Sequence, residues 1–327
     1  MMPERLQRAS VDLRPYRLQL LRPLRTAHGV REFREGIEVL VRDGAWVGRG
    51  DAAPLPELGT ETLEQCLAEL RAARPDALPR APAARCALEQ ALLDIQAQRA
   101  GVPLARLLEP RAPLEVPASA LLAAGSMPEL AREAQRAAAE GYGTVKLKVG
   151  FEDDYARAAV VRDAVGPEVK LRLDANGAWT AEEALCRLRE LAPLGIELCE
   201  QPTPDLAGLE GCPVAVAADE MLASDPEGAL ARARTLVLKP MLLGGLSAAL
   251  ELARRAHERG LSVIVTTSLE GPIGRAGAAH LAAAVLALGP QPAAGIATGR
   301  LFAEGPDRFA PLQGVVRIPD VPGLGLR

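Results

Sequence analysis

The segment VKLRLDAN, residues 169–176, decides the fold. In an extended strand successive side chains point to opposite faces. Lys170, Arg172, Asp174 and Asn176 then share one face, and Leu171, Leu173 and Ala175 share the other. The segment TVKLKV at 144–149 repeats the pattern, with Lys146 and Lys148 opposed to Val145, Leu147 and Val149. Strands with one solvated face are ordinary in antiparallel sheets, but here the flanking segments are helical. Strands joined by crossover helices have their outer face covered, which leaves a barrel lumen for the polar set.

Working outward, strand candidates recur from Val116 onward: VPASALL, TVKLKV, VKLRLDA, IELCE, AVAADE, TLVLKP, LSVIVTT and AAGIAT. Alanine-rich helical stretches such as MPELAREAQRAAAEGY and LSAALELARRAHERG separate most of them. Eight short apolar strands with helical crossovers are the pattern of a closed β/α barrel. No GxGxxG follows the first strand, which speaks against an open doubly wound sheet. Residues 1–110 read differently, as three strand-like runs (VDLRPYRLQL, REGIEVLVRD, AWVGRGDAAP) followed by two helices, one starting near Thr60 and one closed by Gly101. Strands followed by helices without alternation predict a separate α+β unit. The barrel is expected over 111–300, with a proline-bearing segment, 301–327, returning to the first unit.

Composition narrows the function. The net charge is −4 and aromatic residues make up 3 %, so neither a basic face nor a base-stacking platform for nucleic acid is expected. Five scattered cysteines without a CxxC pair read as reduced thiols of a cytoplasmic protein. No signal-like start and no apolar run of membrane length is present, and nothing in the composition opposes oligomer formation. The chain holds four lysines against 34 arginines, and Lys146, Lys148, Lys170 and Lys239 all fall in strand-like segments. A desolvated lysine can lose its proton near neutral pH, whereas arginine stays charged, so the distribution points to lysine chemistry.

Asp174, Glu200 and Asp219 each close an apolar strand, at the C-terminal mouth where barrel enzymes do their chemistry. Three carboxylates gathered in a desolvated site require a cation, and an all-oxygen ligand set favours Mg²⁺, with Mn²⁺ able to substitute. Lys148 precedes the carboxylate series and Lys239 follows it, so the two face a ligand from opposite sides. A metal holding a substrate carboxylate acidifies the adjacent C–H, and a lysine lowered in pKa by burial and the nearby cation can take that proton. Lys146, on the face of Lys148, is placed to lower the pKa of Lys148 and to bond the substrate carboxylate. The expected partner is a small-molecule carboxylate.

The elements KLK at 146–148, LDAN at 173–176, EQP at 200–202, ADE at 218–220 and LKP at 238–240 resemble, in order, those of the enolase superfamily, muconate-lactonizing subgroup. The pairing of a lysine base with magnesium there is itself a worked example of pKa tuning. GRGDAAPLP at 48–56 is similar to a capping-domain stretch usually written with Glu where this chain has Asp51. The resemblance implies an α/β fold, a (β/α)7β modified TIM barrel with an N-terminal α+β capping domain. Within the subgroup the chain is similar to the o-succinylbenzoate synthases, through Arg172 two residues before the first metal ligand, TTSLEGPIG at 266–274 and its compact length. That similarity implies dehydration of a cyclohexadiene carboxylate, with Lys148 as base and then acid and Lys239 as a stabilising cation. Arg172 and Asn176 join Lys146 as expected substrate-binding positions, with Ser268 and the backbone at Gly295 holding the succinyl tail.

An N-acylamino-acid racemase is the nearest competitor, since the same two lysines could exchange a proton on both faces. Dipeptide epimerases usually carry a DxD pair on the last strand, where this chain reads GIATG. Sugar-acid dehydratases use a late-strand histidine, and His28, His257 and His280 are the only histidines. A non-catalytic binding or scaffold role would require the lumenal charges to be vestigial.

Overall fold

The computed structural model describes residues 10–26, 29–73, 77–122, 125–303 and 307–326. Three antiparallel strands come first, β1 (Ser10–Thr26), β2 (Gly29–Asp43) and β3 (Trp46–Ala52), followed by α1 (Leu63–Ala72), α2 (Pro82–Ala100) and the short α3 (Leu104–Leu108). Thr62 caps α1 through a reciprocal pair with Gln65, and Gly101, at φ 72°, ends α2. Ile37, Val39 and Val41 alternate inward along β2 and meet Ala84, Leu88, Ala91 and Ile95 of α2, giving this cap its own core.

The chain then builds a parallel sheet from β5 (Ala120–Leu122), β6 (Thr144–Lys148), β7 (Lys170–Asp174), β8 (Ile196–Glu200), β9 (Val216–Ala218), β10 (Thr235–Leu238) and β11 (Ser262–Val265), hydrogen-bonded in sequence order. The crossovers contain α4 (Met127–Ala139), α5 (Asp154–Val165), α6 (Ala181–Leu191), α7 (Pro226–Arg232) and α8 (Leu246–Glu258), and α9 (Pro272–Leu286) follows β11. Ser126 with Glu129 and Thr180 with Glu183 box the starts of α4 and α6. The outward residues Val145, Leu147, Leu171, Leu173, Cys199, Leu236 and Leu238 are buried against these helices in one continuous core.

The expected eighth strand is present only as a closing pair. Ala294 bridges Ala118 and Gly295 bridges Thr266 in parallel sense. Backbone bonds from Ala294 N to Pro117 O (2.8 Å) and from Gly295 N to Val265 O (2.8 Å) seal the barrel between β11 and β5. The expected first barrel strand is also split. β4 (Glu115–Pro117) leaves the barrel and pairs antiparallel with β12 (Val315–Arg317), and only Ala120–Leu122 stays in the ring. The C-terminal segment contacts the cap at two places, through Ala303 N to Gln19 O (2.9 Å) on β1 and Leu324 N to Asp94 Oδ1 (2.8 Å) on α2.

Candidate active site

Period-two alternation builds the site in layers. Leu198, Ala217, Val237 and Ile264 pack together as a small apolar plug separate from the main core. Two residues further along the same strands come Glu200, Asp219, Lys239 and Thr266, and on β7 and β6 Arg172 is followed by Asp174 and Lys146 by Lys148. Lys148, Asp174 and Glu200 are register partners across β6, β7 and β8. The polar layer therefore lies directly above the plug at the C-terminal mouth.

Charge pairing is tight. Lys146 Nζ reaches Asp174 Oδ2 at 2.8 Å and Glu200 Oε2 at 2.5 Å. Lys239 Nζ holds both oxygens of Asp219, at 2.5 and 2.7 Å. Burial alone would lower both ammoniums, but Asp174, Glu200 and Asp219 around Lys146, and Asp219 and Glu220 around Lys239, outweigh it and hold both above their ordinary values. Buried carboxylates at contact distance favour the charged form of these two lysines more than desolvation opposes it. Asp174, although burial pushes it up, ends below its ordinary value beside Lys146, whereas burial keeps Glu200 above its own. Lys148, half-buried, has no hydrogen bond or ion pair among the described residues. Lys170 lies at the opposite end of β7, exposed, on Glu197.

Among the described residues no three of His, Cys, Asp and Glu draw together closely enough to hold a metal; lysine ammoniums neutralise the three carboxylates instead. The donor chemistry nevertheless suits a hard cation, since every candidate ligand is an oxygen. Acceptors also outnumber donors here. Asn176 Oδ1 and Glu220 Oε2 are buried without a partner beside Asp174 and Asp219, and burial, with Asp219 next to it, pushes Glu220 up to about 7.

Other sequence-derived positions fall elsewhere. Arg172 is fully buried below the mouth, donating to Glu197 Oε2 (3.0 and 3.2 Å) and Ala293 O (3.2 Å), with Glu200 Oε1 at 3.9 Å. It braces Glu200 and the closing segment rather than facing a ligand, because its strand position is one pleat below Asp174. Gly295 has its N–H on Val265 O, and its carbonyl accepts from Thr266 Oγ1 at 2.9 Å. A Cβ there would sit 2.4 Å from that hydroxyl, so this glycine serves barrel closure and its backbone is committed. Asn176, at φ 46°, gives its amide to Glu220 Oε1 at 2.8 Å. Ser268 is buried and its Oγ has no partner, so it alone of the tail-binding expectations keeps a free polar group. His280 is buried in α9, accepting from Ala105 N at 2.9 Å and pushed down to about 4 by burial, and His257 is exposed on α8. Neither faces the mouth, and His28 lies outside the described residues.

Gln201 was missed as a functional position. At φ 39°, its Oε1 accepts from Asp219 N (2.8 Å) while its Nε2 donates to Thr203 O (2.7 Å), which fixes the backbone that carries Asp219. The signal was a polar residue directly after a buried carboxylate. Asn176, Gln201 and Leu269, three of the five non-glycine residues with positive φ among the described residues, cluster in the loops at this mouth, where strained backbone tends to mark function.

Residues 129–327 match the profile of the family described as enolase C-terminal domain-like. The chain belongs to the enolase superfamily. Within it, the chain falls in the muconate-lactonizing-enzyme-like subgroup, and its similarities spread over several activities. It is 33 % identical to muconate cycloisomerase 1 of Acinetobacter baylyi over 272 residues, 74 % of this chain and 70 % of that protein. It is 33 % identical to o-succinylbenzoate synthase of Desulfotalea psychrophila over 239 residues, 68 % of this chain and 64 % of that protein. Its fold matches the dipeptide epimerase of Methylococcus capsulatus crystallised with Mg and the dipeptide L-Arg-D-Lys, with a TM-score of 0.87, 28 % identity and coverage of 97 % and 98 %. No helix among the described residues is long and apolar enough to cross a membrane.

Proposed function

We propose that the protein is an o-succinylbenzoate synthase, catalysing the syn dehydration of 2-succinyl-6-hydroxy-2,4-cyclohexadiene-1-carboxylate in the cytoplasmic synthesis of menaquinone. The observation that carries proton-transfer chemistry is the unpartnered Lys148 on β6, in register with Asp174 and Glu200, with Lys239 four strands further round, at the end of β10. What separates this reading from a dipeptide epimerase is the closing segment 294–298, Ala-Gly-Ile-Ala-Thr, which offers no carboxylate for a substrate α-ammonium.

Asp174, Glu200 and Asp219 would hold Mg²⁺, which when bound supplies the positive charge that acidifies the C–H next to the substrate carboxylate. Lys148 takes that proton, leaving an enediolate. The Lys239 ammonium, held charged by Asp219, stabilises the enediolate from the other side. Lys148, now protonated on the face where it acted, returns its proton to the departing hydroxyl; the C–O bond breaks, water leaves and the ring becomes aromatic. Lys146 and the Gln201–Asp219 staple keep the carboxylates oriented, and the plug beneath excludes water. Five free cysteines, three of them buried, support a reducing compartment.

The test compares kcat/KM for the cyclohexadiene with that for N-succinylamino acids, follows α-proton exchange in D₂O, and repeats both in chelator before and after Mg²⁺ addition. Dehydration should dominate and require the metal. Each of Asp174→Asn, Glu200→Gln and Asp219→Asn should cost at least ~10²-fold, the scale of lost electrostatic stabilisation, and weaken Mg²⁺ binding measured calorimetrically. A larger kcat/KM for racemisation would make the protein an N-succinylamino-acid racemase, in which both lysines transfer protons.

A further inference from the structure

We infer that Arg34 on the cap is a positioning residue for Ser268: with Asp51 and Tyr16 it clamps the loop after β11, so that the cap sets how tightly the succinyl tail is held. This rests on the role given to Ser268 above.

Strand register puts Tyr16 opposite Gly36 and Asp51 opposite Glu38. Tyr16, Arg34 and Asp51 therefore share the sheet face turned away from the Ile37–Val39–Val41 core, toward the barrel. Arg34 is 2 % exposed, and all its hydrogen bonds go to backbone carbonyls: Pro54 O at 3.0 Å, Glu35 O at 3.4 Å, Ala53 O, and across the seam Ser268 O at 3.3 Å. Its Nε has no partner. Asp51 accepts from Tyr16 OH (2.7 Å) and from Gly274 N (3.1 Å), and the Tyr16 hydroxyl accepts from Gly271 N (3.1 Å). Within the loop, Glu270 Oε2 accepts from Ser268 N at 2.5 Å, and Glu270 O accepts from Arg275 Nη1 at 2.9 Å.

Both backbone polar groups of Ser268 are thus committed, the N–H to Glu270 and the carbonyl to Arg34. Only its buried Oγ remains free, and that is the group a ligand would meet. The next residue, Leu269, sits at φ 63°, a conformation that persists in a leucine only where surroundings over-determine it. The seam is tight by construction: a Cβ on Gly274 would lie 2.9 Å from Asp51 Oδ2 and 2.5 Å from the Glu270 Cβ. A bare backbone there lets the cap reach the loop.

Arg34→Lys keeps the charge but loses the planar fork that spans several carbonyls at once. It should speed hydrogen exchange of the 267–271 amides and raise KM about tenfold, the scale of one charge-assisted hydrogen bond, with kcat within about threefold. The KM increase should vanish when Arg34→Lys is made in a Ser268→Ala background, because the two then act through one contact. Kinetics are read with whichever succinyl-bearing substrate of the preceding test has the higher kcat/KM, so a wrong choice of reaction leaves this experiment intact. Tyr16→Phe, which removes only the hydroxyl linking Asp51 to Gly271, gives the same exchange readout should Arg34→Lys not fold. Unchanged exchange in the loop, a KM unmoved by Ser268→Ala, or a KM penalty of full size in the Ser268→Ala background would each overturn the assignment.

Discussion

Replacing Asp51 by Asn should reverse sign in its effect on stability between pH 3 and pH 8. Burial pushes Asp51 up to about 7; the Tyr16 hydrogen bond and Arg34 oppose this and Glu270 adds to it. In the unfolded chain an aspartate titrates near ~3.9. Between those values the folded protein keeps a proton that the unfolded chain has released, so this group's contribution to stability falls as pH rises from about 4 to about 7 and is level above that. At ~1.4 kcal/mol per pH unit over roughly three pH units, wild type gives up about 4 kcal/mol at this site by pH 8. Asn carries no charge at any pH and still accepts from Tyr16, but it presents an amide to Gly274 N and loses that hydrogen bond, at about 1 kcal/mol throughout. The variant should therefore be about 1 kcal/mol less stable than wild type at pH 3, below the unfolded pKa, and up to about 3 kcal/mol more stable at pH 8. Urea unfolding of both proteins at the two pH values measures the difference directly. An Asn variant destabilised equally at both would refute the claim that Asp51 is held protonated at the seam.

Gly295→Ala should cost about 1–3 kcal/mol, as overpacking does, because its Cβ would meet Thr266 Oγ1 at 2.4 Å; thermal unfolding of this variant and of its combination with Thr266→Ala, which should recover part of the loss, checks the cause. At the reacting centre, Lys148→Ala should remove at least ~10²-fold of turnover together with α-proton exchange. Lys239→Arg should retain more turnover than Lys239→Ala because a cation remains, and equal abolition by both, with exchange surviving, would assign Lys239 a proton-transfer role.

The barrel and its charged lumen were legible because both are written in the same period of two. In VKLRLDAN the leucines mark the helix-covered face and the charges mark the lumen, and the structure buries Leu171 and Leu173 in the main core. What the alternation leaves open is height along the strand. Arg172 and Asp174 share a face, yet the first sits low enough to spend its guanidinium on Glu197 and Ala293, and the second reaches the mouth. Gly295 shows a related ambiguity: a small residue in a loop signals either room for a ligand or room for a neighbouring strand, and the closeness of Thr266 to this glycine is visible only in the tertiary structure. The seam was invisible for a third reason. Arg34 and Ser268 are far apart in sequence, and an arginine in a strand carries no local mark of burial.

Taken together, the layers explain why this mouth can use charge strongly. Below the polar row lies the Leu198–Ala217–Val237–Ile264 plug, which keeps water from the lumen floor. Around its rim, Asn176 and Gln201 turn the chain back immediately after β7 and β8, so that Asp174 and Glu200 end their strands within the protein rather than in solvent. Above, the cap sheet grips the loop after β11 through Arg34, Asp51 and Tyr16. In such an enclosure each ion pair acts through a lower dielectric than at a surface, and Lys146 and Lys239 can be held charged although buried. In the mechanism proposed above the proton passes through Lys148, the lysine left out of these pairs because Lys146 and Lys239 have taken the carboxylates.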